Sequence, residues 1–241
     1  MQTQEVNVVG LGYVGLPLAL VIASNGLKVN GYDVDQKKIS LLKKGEVFLD
    51  EKDLIELWNK NNKKMFFSNE LCESDIHIIA VPTPLIKKEI TCDLSFVKEA
   101  VKQFTKVLKK NNLIILVSTC PVGTTNLISN IIKKNTNLNV GEDFFLAYCP
   151  ERLYPGNTYK EIINNEHIIG GFTKNCSEKA SDFYLNFLTK KIVPTTCQLA
   201  ELVKLSENAY RDINIAFANE LCKISSEYNQ NIWEVIRLSN L

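Results

Sequence analysis

Residues 5–25 read Glu5-Val-Asn-Val-Val9, then Gly10-Leu11-Gly12-Tyr13-Val14-Gly15, then an apolar stretch to Asn25. A short apolar run, a Gly-x-Gly-x-x-Gly turn and a helical pattern in that order leave few folds open. The first glycine permits a tight turn, the second lets backbone approach a pyrophosphate, and the third lets helix pack on strand. A helix starting there offers free N–H groups and a positive dipole end to phosphates. Val8–Ser24 is apolar enough to suggest a signal peptide or a short span. It lacks a basic leader, follows Glu5, and is broken by Gly10, Gly12, Gly15 and Pro17. At about 17 residues it is also short for a bilayer.

The same alternation continues. Strands are expected at Glu5–Val9, Lys28–Tyr32, Ile76–Val81, Leu113–Val117, Phe144–Tyr148, Ile168–Ile169 and Ile192–Val193. Helices are expected at Val14–Asn25, Asp35–Lys44, Leu94–Lys110 (with Asp93 as N-cap) and near Ser177–Leu188. That order predicts an α/β fold, a doubly wound parallel Rossmann-like sheet with helices on both faces. After Pro194 the pattern changes: Leu199–Tyr228 holds no Gly or Pro, and Ile232–Ser239 starts another helix. Residues 1–195 are therefore expected to form a dinucleotide-binding domain and 196–241 the start of an all-helical domain. The chain stops inside that helical unit, which reads as a fragment.

Composition excludes other classes. Lys+Arg 28 against Asp+Glu 27 gives a net charge of +1, and the paired lysines are interleaved with acids. No nucleic-acid or membrane-surface partner is expected from such a balance. The seven cysteines are odd in number with no Cys-x-x-Cys, and only two histidines are available. That predicts reduced thiols in the cytoplasm and no metal site.

Asp33, 23 residues after Gly10, stands where an acid accepts hydrogen bonds from an adenosine ribose and repels a 2′-phosphate, so NAD is expected over NADP. Five of the seven prolines (82, 84, 121, 150, 155) follow predicted strand ends, which would turn Thr83, Thr119 and Glu151 toward one crevice. Such prolines also simply end strands in any α/β protein. On the long helix, Glu201, Lys204, Asn208 and Arg211 form one stripe at i, i+3, i+7 and i+10. A solvated polar face explains that stripe as well as an active site does. His77, inside a strand, reads as a packed histidine, and His167 has no ligand partner in sight.

Together these segments resemble the UDP-glucose/GDP-mannose dehydrogenase family. The specific matches are Cys149-Pro-Glu-Arg-Leu-Tyr-Pro-Gly156 and Ala200-Glu-Leu-Val-Lys-Leu-Ser-Glu-Asn-Ala-Tyr-Arg-Asp-Ile-Asn-Ile-Ala-Phe-Ala-Asn-Glu-Leu221. The latter segment is most similar to the branch that oxidises UDP-N-acetyl-D-mannosamine. The resemblance implies oxidation of the C6 hydroxymethyl of a nucleotide sugar to a carboxylate, with two NAD consumed in turn. It implies NAD contacts from Gly10, Gly12, Tyr13, Val14, Gly15, Asp33, Thr83 and Thr119. It gives Arg152, Leu153 and Arg211 to the sugar nucleotide and water or proton handling to Glu151. Thr119 counts with the catalytic group as well. Lys204, assisted by Asn208, would stabilise the developing oxyanion. A homodimer through the helical domain is implied too. Tyr154, His167 and Val117 depart from the family pattern, and His167 puts a local ion pair in doubt. The family's thiol nucleophile, in a Gly-Gly-x-Cys segment, is not found before Leu241, so the chain is expected to bind NAD without turnover. Cys120 is the cysteine least easily dismissed as a substitute. The competing readings are a UDP-glucose 6-dehydrogenase, a β-hydroxyacid dehydrogenase with a similar Lys-x-x-x-Asn helix, and a non-catalytic NAD-binding module.

Overall fold

The computed structural model describes residues 4–86, 88, 90–153 and 156–241. Among these, ten strands and nine helices follow in order: β1 (Glu5–Val9), α1 (Gly15–Ser24), β2 (Lys28–Tyr32), α2 (Gln36–Lys43), α3 (Lys52–Asn61), β3 (Met65–Ser68), β4 (Ile76–Ile79), the short pair β5 (Leu85–Ile86) and β6 (Thr91–Cys92), α4 (Ser95–Phe104), β7 (Leu113–Leu116), α5 (Thr124–Thr136), β8 (Phe145–Tyr148), α6 (Thr158–Asn164), β9 (His167–Gly171), α7 (Lys174–Tyr184), β10 (Ile192–Thr196), α8 (Cys197–Glu227) and α9 (Ile232–Ser239). Eight strands form one sheet in the order β10-β9-β8-β7-β4-β1-β2-β3. Strand order reverses direction between β1 and β4, and there the carboxyl ends of the strands open a crevice.

Alternation within the short strands divides the core between the two faces. Val6, Val8, Ile76, Ile78, Leu113, Ile115, Phe145 and Ala147 pack with α1 on one side. Val9, Ile79, Ile114, Leu116, Leu146 and Tyr148 pack with α4 and α5 on the other. Strands buried on both faces need continuous apolar runs, which is why they stand out in the sequence. Helix α1 is buried at nine of its ten residues, so its membrane-like composition comes from its place inside the core. No helix among the described residues is long and apolar enough to cross a membrane.

Two details depart from expectation. The sheet is not wholly parallel: β9 runs antiparallel to β8, paired only at Ala147↔Gly171 and Tyr148↔Gly170. The connection between them contains the seven-residue helix α6, about 10 Å of helix. Asp93 does not cap α4 as an N-cap. Its Oδ1 accepts from Ser95 N at 2.8 Å while Leu94 occupies the cap position, so the side chain makes a turn one residue early. Asp35 does cap α2, accepting from Lys37 N and Lys38 N.

The described chain divides into two compact units, one ending at Leu202 and the other running Val203–Leu241. The latter contains the rest of α8 and all of α9. Asn229 takes a left-handed φ of 52° between these helices, and Asn231 Oδ1 accepts from Trp233 N at 2.9 Å to start α9.

His77 is fully buried in β4. Asn7 Nδ2 donates to its Nδ1 at 3.1 Å, and its ring stacks on Phe104 with centroids 5.4 Å apart. Asn7 is held in turn by Ser74 Oγ, which donates to its Oδ1 at 2.9 Å. Burial lowers the imidazole to about 4. Below the ordinary value of 6.5, the unfolded chain takes up a proton that the folded chain refuses. Stability is therefore expected to fall as pH drops from 6.5 toward 4, by about 1.4 kcal/mol per pH unit from this residue. Urea unfolding midpoints at pH 7, 5.5 and 4.5, compared with those of His77→Leu, check this. An equal pH slope in the two proteins would show that His77 is not responsible.

Candidate functional site

The glycine turn is set by contacts on the β1–β4 side of the crevice. Gly10 has φ of +95°, and a Cβ there would lie 2.5 Å from the Ala80 carbonyl oxygen. A Cβ on Gly15 would sit 1.8 Å from the Gly10 carbonyl oxygen. Neither position tolerates a side chain. Gly12 differs: nothing lies within 4 Å of where its Cβ would be. Backbone is thus bared to open space at the turn leading into α1, and that cradle fits a pyrophosphate.

A cleft of about 490 Å³ continues from this turn, lined by Gly10, Gly12, Tyr13 and Val14, by Asp33 and Lys38, and by part of α4. Asp33 is almost fully buried at the end of β2. Its Oδ2 accepts from Leu11 N at 2.9 Å and from Lys38 Nζ at 2.6 Å, and its Oδ1 accepts from Asp35 N at 3.0 Å. The carboxylate therefore braces the glycine turn as well as facing the cleft. Its Oδ1 keeps acceptor capacity for a ribose hydroxyl. Lys38 belongs to the site although no motif marks it. Its position on the first turn of the helix after the acid is the only sequence signal for it.

Thr83 and Thr119 are brought together, though outside the lining of that cleft. Thr83 Oγ1 donates to the Thr119 carbonyl at 2.6 Å, and Ser118 Oγ donates to the Val81 carbonyl at 2.7 Å. The loops after β4 and β7 are thereby stitched into one rim.

After β8, Glu151 is buried, Arg152 Nη1 donates to the Glu166 carbonyl at 3.4 Å, and Leu153 packs on the core that contains α1. Asn165 Nδ2 holds the Arg152 carbonyl at 3.2 Å. His167 Nδ1 donates to the Asn165 carbonyl at 2.9 Å and its ring lies against Tyr184. Burial, reinforced by the Arg152 charge, lowers the His167 pKa. Tyr154 and Pro155 lie outside the described residues. Beyond them, Glu51 accepts from Gly156 N at 3.0 Å, Thr158 N at 2.7 Å and Thr158 Oγ1 at 2.5 Å. Nothing in the local sequence links Glu51 to a segment more than a hundred residues away.

Glu201 is not on a solvated face. It is fully buried, and its two oxygens accept from Gly123 N at 2.7 Å and Thr125 N at 2.9 Å, at the N-terminus of α5. That contact satisfies orphan donors and complements the helix dipole. Lys204, Asn208 and Arg211 follow at i, i+4 and i+7 of the same helix, in the Val203–Leu241 unit.

The described cysteines at the crevice are poor nucleophiles. Burial pushes the Cys120 thiol up to about 12, with the Glu201 carboxylate adding to it. Burial and then the Glu151 charge raise Cys149 as well, and burial brings Cys197 to about 12. Thiolate, the reactive form, is scarce at all three near neutral pH. No cluster of metal-binding side chains is present among the described residues. Iodoacetamide is expected to label exposed Cys222 well before Cys120, Cys149 or Cys197, read by peptide mass mapping of the native protein. Early labelling of Cys120 would mean an activated thiol at the crevice.

Comparison with known proteins places the chain. Residues 4–188 match the UDP-glucose/GDP-mannose dehydrogenase family NAD binding domain, and residues 198–241 match the same family's central domain. A UDP-N-acetyl-D-mannosamine dehydrogenase of Methanococcus maripaludis is 40% identical over 242 residues, covering 98% of this chain and 55% of that protein. One from Escherichia coli is 41% identical over 249 residues, covering all of this chain and 59% of the relative. The structure of a UDP-D-ManNAc dehydrogenase from Pyrococcus horikoshii superposes with a TM-score of 0.93 at 35% identity, over 98% of this chain and 57% of the other. The chain thus spans little more than half the length of these relatives. With a glycine cradle at the β1–β4 reversal and NAD-binding and central-domain matches in sequence order, the chain belongs to the UDP-glucose/GDP-mannose dehydrogenase family.

Proposed function

We propose that the protein carrying this chain oxidises the C6 hydroxymethyl of a UDP-N-acetylhexosamine, UDP-N-acetyl-D-mannosamine, to the uronate. The observation that carries this reading is identity of about 40% across nearly the whole chain to relatives named for that substrate. NAD, when bound, supplies the hydride acceptor for both oxidations. Gly10, Gly12, Tyr13, Val14 and Gly15 hold its phosphates, and Asp33 holds the adenosine ribose. Thr83 and Thr119, whose loops are joined at the rim, would hold the cofactor as well.

The chain's own residues handle substrate and protons. Hydride loss from an alcohol is easy only as the hydroxyl proton leaves, so a cation and a hydrogen-bond donor beside the oxygen lower the barrier. Lys204 and Asn208 take those roles, one turn apart on α8. Buried Glu151 orients water or accepts a proton, and Thr119 belongs to the same catalytic group. Arg152, Leu153 and Arg211 bind the sugar nucleotide. A homodimer through the helical unit, a cytoplasmic setting and a role in polysaccharide synthesis complete the proposal. Exposed Tyr210, Ile213, Phe217 and Trp233 in the helical unit support the dimer.

Assayed as the whole protein with NAD, UDP-N-acetylmannosamine is expected to yield two NADH per sugar nucleotide. Faster turnover of UDP-glucose would assign the neighbouring substrate instead. Lys204→Ala should lower kcat by about a hundredfold or more with little change in NAD affinity. Unchanged turnover would remove Lys204 from the chemistry.

Cofactor choice is tested on the chain itself. NADH should bind more tightly than NADPH, because the Asp33 carboxylate faces the ribose. Asp33→Ala should weaken NADH by about 1–3 kcal/mol. The same change leaves the Lys38 ammonium without its carboxylate, so the gap to NADPH should narrow. Equal affinities in the unaltered chain, measured by dinucleotide fluorescence, would refute the role of Asp33.

A further inference from the structure

The cleft has an end that neither the glycine turn nor Asp33 accounts for. Helix α4 presents Phe96, Glu99, Ala100 and Gln103 to it, at i, i+3, i+4 and i+7, which is one helical stripe. Opposite are Val34, just past Asp33, and Ala80–Pro82 after β4. Val34 is 73% exposed and Phe96 46% exposed, two apolar side chains left open to solvent beside one slot. Such surface suits the faces of a flat aromatic ring. With phosphates at the glycine turn and ribose at Asp33, the base of a dinucleotide reaches this slot.

Glu99 is the charged group at the rim of that otherwise apolar end. Gln103 Nε2 donates to Glu99 Oε1 at 2.7 Å, and Lys106 Nζ donates to Gln103 Oε1 at 3.1 Å. The lysine fixes which way the Gln103 amide points, and the amide restrains the carboxylate. Among the described residues no donor reaches the other oxygen of Glu99. Tyr32 lines the cleft together with both acids, and its phenol is raised by burial first and then by Glu99 and Asp33. Glu99 thus faces the same cleft as Asp33. A carboxylate only accepts hydrogen bonds.

We infer that Glu99 accepts a hydrogen bond from the exocyclic 6-amino group of the cofactor's adenine, so that the cleft selects a 6-aminopurine over a 6-oxopurine dinucleotide. A 6-oxo base brings a carbonyl oxygen to the same place, where it meets the carboxylate with no proton between them. The inference rests on the dinucleotide reading of the cleft and adds a specificity determinant to it.

Reduced NAD and its hypoxanthine analogue, in which a 6-oxo group replaces the 6-amino group and N1 gains a hydrogen, are the probes. Titrated into the 241-residue chain by fluorescence, NADH is expected to bind about tenfold more tightly than the analogue, a ratio set by one charge-assisted hydrogen bond. Glu99→Gln should bring the ratio close to one, because an amide can turn either its oxygen or its nitrogen to the base. It keeps the acceptor for Gln103, so folding is preserved. Glu99→Lys should reverse the preference, since an ammonium donates to a 6-oxo group and repels no carbonyl. Equal binding of the two probes by the unaltered chain, or a preference that survives both substitutions, would overturn the inference while leaving dinucleotide binding intact. Binding of neither probe would overturn the dinucleotide reading and this inference together.

Discussion

The close approach of three backbones at the head of β1 governs everything built around it. Gly10 meets the Ala80 carbonyl, and Gly15 meets the Gly10 carbonyl, at distances no Cβ could enter. That packing sets the angle at which α1 leaves the sheet. It also brings the end of β4 beside the turn, so that residues seventy positions apart line one cleft. A Cβ at either glycine would push α1 off the sheet and open the core beneath it, where Leu16, Leu18 and Leu20 are fully buried. Fold and cofactor cradle therefore depend on the same contacts, and neither can be altered independently.

Asp33 extends this dependence. A carboxylate that only awaited a ribose would be a buried charge without partners, which costs several kcal/mol. Instead it accepts from two backbone amides and from Lys38. The site is thus held in shape by hydrogen bonds that exist before any cofactor arrives, and ordering costs on binding are reduced accordingly. The same economy of ordering appears at the neighbouring rim, where the Thr83 and Ser118 hydroxyls join two loops through backbone carbonyls.

What the sequence made legible was local. The glycine turn, Asp33 and the apolar strands are each defined within a few residues, by backbone conformation or by burial on both faces. His77 was legible as a packed residue because a strand interior offers no room for a ligand. Groups acting at a distance were not. Glu51 reaches a segment beyond position 155, and Glu201 caps a helix that begins at Thr124. Their sequence neighbourhoods look like ordinary helix ends and polar faces. Periodicity could not decide for Glu201, since a stripe of polar residues is drawn identically whether its members face water or a buried helix terminus. The antiparallel β9 escaped for a related reason: alternation of strand and helix fixes element order but not strand direction.

Burial of the thiols and burial of Glu201 belong to one design of the crevice edge. Glu201 lies in a dry place where it accepts from two backbone amides at the start of α5, at the positive end of that helix. Its negative field then falls on Cys120, already pushed up by burial, and deepens the preference for neutral sulfur. Glu151 does the same for Cys149 on the next strand. A crevice that gathers carboxylates at its rim can position water and receive protons, but it suppresses thiolate formation wherever a cysteine lies within reach of those charges. A thiolate serving this site must therefore come from a place where positive charge, not Glu151 or Glu201, dominates the local field.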